Sequence, residues 1–155
     1  MKPTLILDCS MTMAWCFADE TTPETVGVQD RLASEAAVVP AHWFLEVVNV
    51  LTMAEKRKRI SPDDASQFVH MLSVLDIQVD EDASRRAFDH ILPLCRSHGL
   101  TSYDAAYLDL VLRRQLPLAS LDDALRQAVT SLGSRFWGSD MAHARHSERP
   151  GHGPV

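Results

Sequence analysis

Three observations predict an α/β fold in which helices cover both faces of a parallel sheet. Short strand-like runs recur along the chain, at residues 4–7, 37–39, 76–79 and 116–121. Helix-patterned sequence separates each run from the next, and strands joined through helices pair in parallel and are covered on both faces. The length, 155 residues with 46% apolar content, fits one domain with a real core.

Taken in order, Thr4-Leu5-Ile6-Leu7-Asp8 reads as the first strand and residues 10–17 as a short helix or helical turn. Residues 23–34 read as a helix. Ala37-Val38-Val39 is a second strand, closed by Pro40. Residues 42–58 form a long helix ended by Lys56-Arg57-Lys58-Arg59, where cations suit the helix dipole. This helix is apolar nearly all round, which predicts burial. Ser61 caps the next helix, with Pro62 at its first position and Asp63 and Asp64 in its first turn. Asp76-Ile77-Gln78-Val79 alternates as a strand. Residues 82–97 are helical and stop at Gly99, and Pro93 should kink or split them. Ser102 is expected to cap a helix running to Arg114. A strand at 116–120, a helix at 122–132 and a short strand at 134–137 bring the sheet to about five strands. Residues 139–155 have little to bury and read as a flexible tail beyond a domain spanning 1–138.

The formal charge of −6 argues against a large basic nucleic-acid surface. It leaves room for a small metal-centred nuclease, where ions neutralise the site. Cys9, Cys16 and Cys95 are odd in number and lack C-x-x-C spacing, which argues against a disulfide framework and a structural zinc site. Cys9 reads as a small buried hydrophobe. No apolar stretch is long enough to span a bilayer, and the first apolar run is too short for a signal peptide. The expectation is a cytoplasmic protein with no membrane contact.

Four acids sit in sequence that favours burial. Asp8 ends the first strand, and Asp122 follows Leu118-Ala119-Ser120-Leu121 at the end of another. In parallel sheets, sites form beyond the carboxyl ends of strands. Glu46 lies inside Phe44-Leu45-Glu46-Val47-Val48, with Asn49 and Val50 on its own side. Asp104 shares a helical stripe with Leu108 and Val111, whereas Asp109 lies on the other side, near Arg113, as a solvated helix acid would. Either Asp122 or Asp123 could serve as a helix cap; Asp122, nearer the strand end, is preferred for the site. Ser10 can bond a carboxylate or a water near Asp8, and Thr101 can do so near Asp104. Two carboxylates ~5 Å apart repel by ~3 kcal/mol at an effective dielectric of ~20, so four in one pocket require protons or cations. All-oxygen ligation selects hard ions, Mg²⁺ or Mn²⁺, and such ions commonly meet substrate phosphates.

The segments Leu7-Asp8-Cys9-Ser10, Leu45-Glu46-Val47-Val48-Asn49, Thr101-Ser102-Tyr103-Asp104-Ala105-Ala106 and Ser120-Leu121-Asp122 resemble those of PIN-domain ribonucleases. The resemblance is nearest to the VapC-type toxins of toxin–antitoxin pairs and covers residues 4–137. It implies a three-layer α/β/α fold and Mg²⁺- or Mn²⁺-dependent endoribonuclease activity. Asp8, Glu46, Asp104 and Asp122 match the family's acidic quartet, with Asp8 and Asp104 on the principal metal. Ser10 and Asn49 match its polar neighbours. It further implies a homodimer, silenced by an antitoxin protein that itself carries the contact with DNA. Two other readings compete. A PIN-like binding module would leave the acids idle. A phosphatase with Asp8 as nucleophile lacks a second acid two residues on, where Ser10 stands.

Overall fold

The computed structural model describes residues 1–137, so the expected tail at 139–155 and the domain boundary at 138 lie outside the described residues. Four parallel strands form the sheet, in the order β3-β2-β1-β4. They are β1 (Pro3–Leu7), β2 (Ala36–Pro40), β3 (Ile77–Asp80) and β4 (Leu118–Ala119). The expected fifth strand at 134–137 contributes one parallel bridge, Phe136 to Leu118. Leu5, Ile6 and Leu7 are fully buried, as the central position of β1 between β2 and β4 requires.

Helices α1 (Cys9–Met13), α2 (Pro23–Arg31), α3 (Trp43–Lys56) and α4 (Pro62–Ser73) come from the first half of the chain. The second half supplies α5 (Ala83–Arg86), α6 (Leu92–His98), α7 (Ser102–Arg114) and α8 (Asp123–Ser131). Among the described residues no helix is long and apolar enough to cross a membrane.

Local chemistry explains most boundaries. Ser61 accepts the Asp64 N–H at 3.1 Å and Pro62 opens α4, as expected. Pro93 splits its helix: a π-helical turn at Ala87–Ile91 separates α5 from α6, and Pro93 then falls in the first turn of α6, where its missing N–H costs little. Gly99 ends α6 at φ 64°. The cap of α7 is Thr101 rather than Ser102; its hydroxyl accepts the Asp104 N–H at 3.2 Å.

Two expectations about burial need correction. Helix α3 is not buried all round. Trp43, Val47, Leu51 and Ala54 face the core, while Phe44, Leu45 and Val48 are exposed on the other side. Asp109 is not a solvated acid either. Helix α7 is buried continuously from Ala105 to Val111, and Asp109 is 3% exposed. The expected Arg113 pair does form, at 3.1 Å, and Arg86 adds a two-point bond to the same carboxylate. Arg113 also grips Asp80 at the end of β3 through two nitrogens, joined there by Arg114. A buried ion network thus ties β3, α5 and α7 together.

Candidate active site

Asp8 begins where β1 ends. Its N–H donates to the Ala119 carbonyl at 2.9 Å, so the β1–β4 pairing fixes the base of the side chain. Asp8 as a whole is 4% exposed. Ser10 donates to its Oδ2 at 2.7 Å and Ser120 donates to the same oxygen at 2.5 Å. Neither serine is free to turn. The Leu121 N–H donates to Ser10 Oγ at 2.9 Å and the Asp122 N–H to Ser120 Oγ at 3.1 Å. Oδ1 has no side-chain partner among the described residues.

Glu46 lies in the first turn of α3, just beyond the carboxyl end of β2. Tyr107, itself fully buried on α7, donates its hydroxyl to Glu46 Oε1 at 2.7 Å. Asp104 lies in the first turn of α7. Asp122 is the N-cap of α8, accepting the Leu125 N–H at 2.8 Å through Oδ1. Asp123 starts the helix proper. The cap and the proposed site residue are therefore the same aspartate. All four acids line one cavity of about 340 Å³ with Cys9, Ser10, Met13, Phe17, Arg59 and a fifth acid, Glu20. A larger cavity, about 670 Å³, lies elsewhere, lined by Lys2, Thr4, Arg31 and Leu116 among others, and no acid lines it.

The acids strain against their surroundings. Burial pushes the Asp8 pKa above the usual carboxylate range; the serine hydroxyls oppose the rise and the charge of Asp122 adds to it. Burial pushes Glu46 up to about 7, with the charges of Asp8 and Asp104 adding and the Tyr107 bond opposing. Asp104 is raised by burial and then by Asp122 and Asp8. Burial, with Glu46 and Asp8 behind it, holds the Cys9 thiol at about 12, so Cys9 is no thiolate nucleophile. Arg59, the one cation lining the cavity among the described residues, is bonded to Asp19 rather than to any of the four acids. His42 approaches Glu46 Oε1 at 3.4 Å without a hydrogen bond, and burial lowers its pKa, which favours the neutral ring.

A donor set of carboxylates and hydroxyls whose ionised forms disfavour one another fits a hard divalent cation. Among the described residues no three acidic, histidine or cysteine side chains converge into a preassembled metal cage. The acids instead line an open wall, as suits Mg²⁺, which keeps waters and shares its shell with phosphates.

The proton linkage yields a measurable trend. As pH rises from about 4.5, the ordinary value, to about 7, the folded protein retains the Glu46 proton that the unfolded chain has lost. Stability from this group is full below the unfolded pKa and is lost as pH rises through the folded one. Metal-free protein should therefore lose about 1–3 kcal/mol between pH 5 and 8 from this pocket. Millimolar Mg²⁺ should flatten the loss, because the ion replaces the proton. Chemical denaturation across that range, with and without the ion, measures both; equal slopes would exclude coupling.

Of the supporting residues, Ser10 reaches Asp8 directly, and Thr101 acts at the start of α7. Asn49 is exposed, and the cavity is lined instead by Val50, one turn beyond Glu46. Sequence reasoning missed Ser120, although its place at the end of β4, beside Asp8, was available as a signal. It also missed Tyr107 and Arg59. Tyr107 shares a face with Asp104 at i+3, a signal that could have found it. Arg59 follows Lys58 at φ 56°, and its N–H bonds back to the Ala54 carbonyl at 2.9 Å. That left-handed turn redirects Arg59 to the cavity and leaves no signature in a run of four cations.

The sequence pattern of the PIN domain matches residues 5–129. No curated protein gives a significant match. Among solved structures, the chain is similar to PAE2754 from Pyrobaculum aerophilum, at 19% identity and a TM-score of 0.65, over 95% of this chain and 100% of that one. That likeness concerns the fold. With acids gathered beyond the strand ends and the family pattern running through nearly all the described residues, the chain belongs to the PIN domain family.

Proposed function

We propose that this protein is a divalent-metal-dependent endoribonuclease and the VapC-type toxin of a toxin–antitoxin pair. PIN domains are generally metal-dependent nucleases. The observation that carries the reading is the gathering of Asp8, Glu46, Asp104 and Asp122 around one cavity, three of them with raised pKa values. Asp8 and Asp104 would hold Mg²⁺ or Mn²⁺, with Glu46 and Asp122 completing the site.

When bound, the ion supplies charge neutralisation at the scissile phosphate and a more acidic water. The chain's own residues do the rest. Ser10 and Ser120 immobilise one oxygen of Asp8, so the carboxylate presents a fixed edge to the cavity. Glu46, which loses its proton once the ion neutralises the pocket, faces the cavity where it can accept a proton from an attacking water. Tyr107 holds Glu46 in place and, with its own pKa raised by burial, remains a neutral donor. Asp122 fixes the start of α8 while facing the same cavity.

The toxin role rests on the order and spacing of the four acidic segments. It adds a homodimer, an antitoxin partner and a cytoplasmic setting to the reading. Purified protein should cleave a labelled RNA pool with Mg²⁺ or Mn²⁺, stop in EDTA and leave a phosphomonoester intact. Expression alone should arrest growth, relieved by the antitoxin encoded beside it. Phosphomonoester hydrolysis with RNA untouched would instead support the phosphatase reading.

A further inference from the structure

We propose that the cavity adjoining the acidic pocket is the subsite for a nucleobase flanking the scissile phosphodiester, and that Arg59 holds the phosphate between the two. The inference rests on the ribonuclease reading above. The two cavities share Phe17 and Arg59 as their common wall. The Arg59 guanidinium carbon lies 3.8 Å from the Phe17 ring centroid, so the cation sits over the aromatic partition.

Charge explains why Arg59 matters. Among the described residues lining the acidic pocket it is the one cation. Its Nη2 donates to both oxygens of Asp19, at 2.7 and 2.9 Å, and approaches Glu20 at 3.7 Å. Nε and Nη1 have no hydrogen-bond partner among the described residues. Asp19 is 74% exposed, and a surface pair of this kind contributes about 0–1 kcal/mol. A phosphate can therefore take the open donors or displace Asp19 at little cost, and a two-point guanidinium–phosphate contact is the stronger pairing.

The adjoining cavity, about 560 Å³, falls in the range of small-molecule sites. Its walls offer the half-buried Trp15 indole, the buried Phe68 and the Met71 thioether. Trp15 is held rigidly, its Nε1–H donating to the Thr25 carbonyl at 2.7 Å. Gln29 and Gln67 present amides that both donate and accept. Flat apolar surface with amides at its edge matches a base, whose face stacks and whose rim hydrogen-bonds. Asp64, also on the wall, repels a second phosphate and accepts from an exocyclic amino group. The occupant is thus a base, with its phosphate at Arg59.

Full-length wild type, Arg59→Gln, Arg59→Lys and Gln67→Ala test this, after thermal melts confirm folding. Binding of a fluorescein-labelled pool of random single-stranded RNA is read by anisotropy in Ca²⁺, a hard ion that neutralises the acids. Cleavage in Mn²⁺ is read by sequencing product ends. Arg59→Gln should weaken binding about tenfold, with Arg59→Lys recovering part, as loss of one charge-assisted contact implies. Gln67→Ala should change base preference beside the cut at least about threefold, the scale of one hydrogen bond. Wild-type binding and base preference in both Arg59→Gln and Gln67→Ala would overturn the subsite while leaving the nuclease reading standing. Binding that is sensitive to Arg59→Gln, with no cleavage by wild type, would overturn the nuclease reading while leaving the Arg59 phosphate contact standing.

Discussion

Asp8→Asn is expected to yield a folded protein that cleaves RNA at least about 10²-fold more slowly, the scale of losing a primary site group. The amide oxygen can still accept from Ser10 and Ser120, which now share Oδ2. The nitrogen, set toward the cavity, cannot hold a cation. Folding should survive because the change removes a charge that burial disfavours, so the thermal midpoint should stay within about 3 °C, the scale of 1 kcal/mol in a chain this size. Full activity in folded Asp8→Asn protein would remove Asp8 from the site.

The second large effect lies away from the cavity. Arg113→Met should destabilise the fold by about 3 kcal/mol, because breaking a buried ion pair leaves a charge uncompensated. Arg113 binds Asp80 and Asp109, whose side chains are 2% and 4% exposed. Asp80 retains Arg114 and Asp109 retains Arg86, which keeps the loss from being larger. Burial alone would raise the Asp80 pKa, but its bonds to Arg113 and Arg114 outweigh burial and hold it at about 2, against 3.8 ordinarily. The stability it lends is present above the ordinary value and is lost as pH falls from about 3.8 to about 2. Urea denaturation at pH 7 and across that acid range reads both effects. A loss under about 1 kcal/mol for Arg113→Met would make the network a bystander.

These two predictions mark what the sequence reveals and what it hides. Asp8 and Asp122 are legible because they end strand-like runs, and strand carboxyl ends are where a parallel sheet gathers its site. Pro93 and Gly99 are legible because their backbone chemistry is local. Asp109 misled because its helix pattern says nothing about Arg86, 23 residues earlier, which helps make its burial tolerable. Asp80 went unnoticed for the same reason: its partners lie 33 and 34 residues on. Helix α3 misled in the opposite direction. Apolar residues all round predicted burial, yet Phe44, Leu45 and Val48 face outward. Long-range charge pairing and the outward face of an apolar helix are decided by tertiary contacts, which periodicity does not encode.

The proposed site has Asp8 and Asp104 hold a divalent ion, with Glu46 and Asp122 completing the pocket around it. Isothermal titration of Mn²⁺ into metal-free wild type, Asp8→Asn and Asp104→Asn tests it without reference to any RNA. The expected result is saturable binding by wild type at pH 7.5, with affinity reduced at least about tenfold in each variant, as loss of a ligand implies. Wild-type Mn²⁺ affinity retained in both folded variants, or no saturable binding by wild type at millimolar ion, would contradict it.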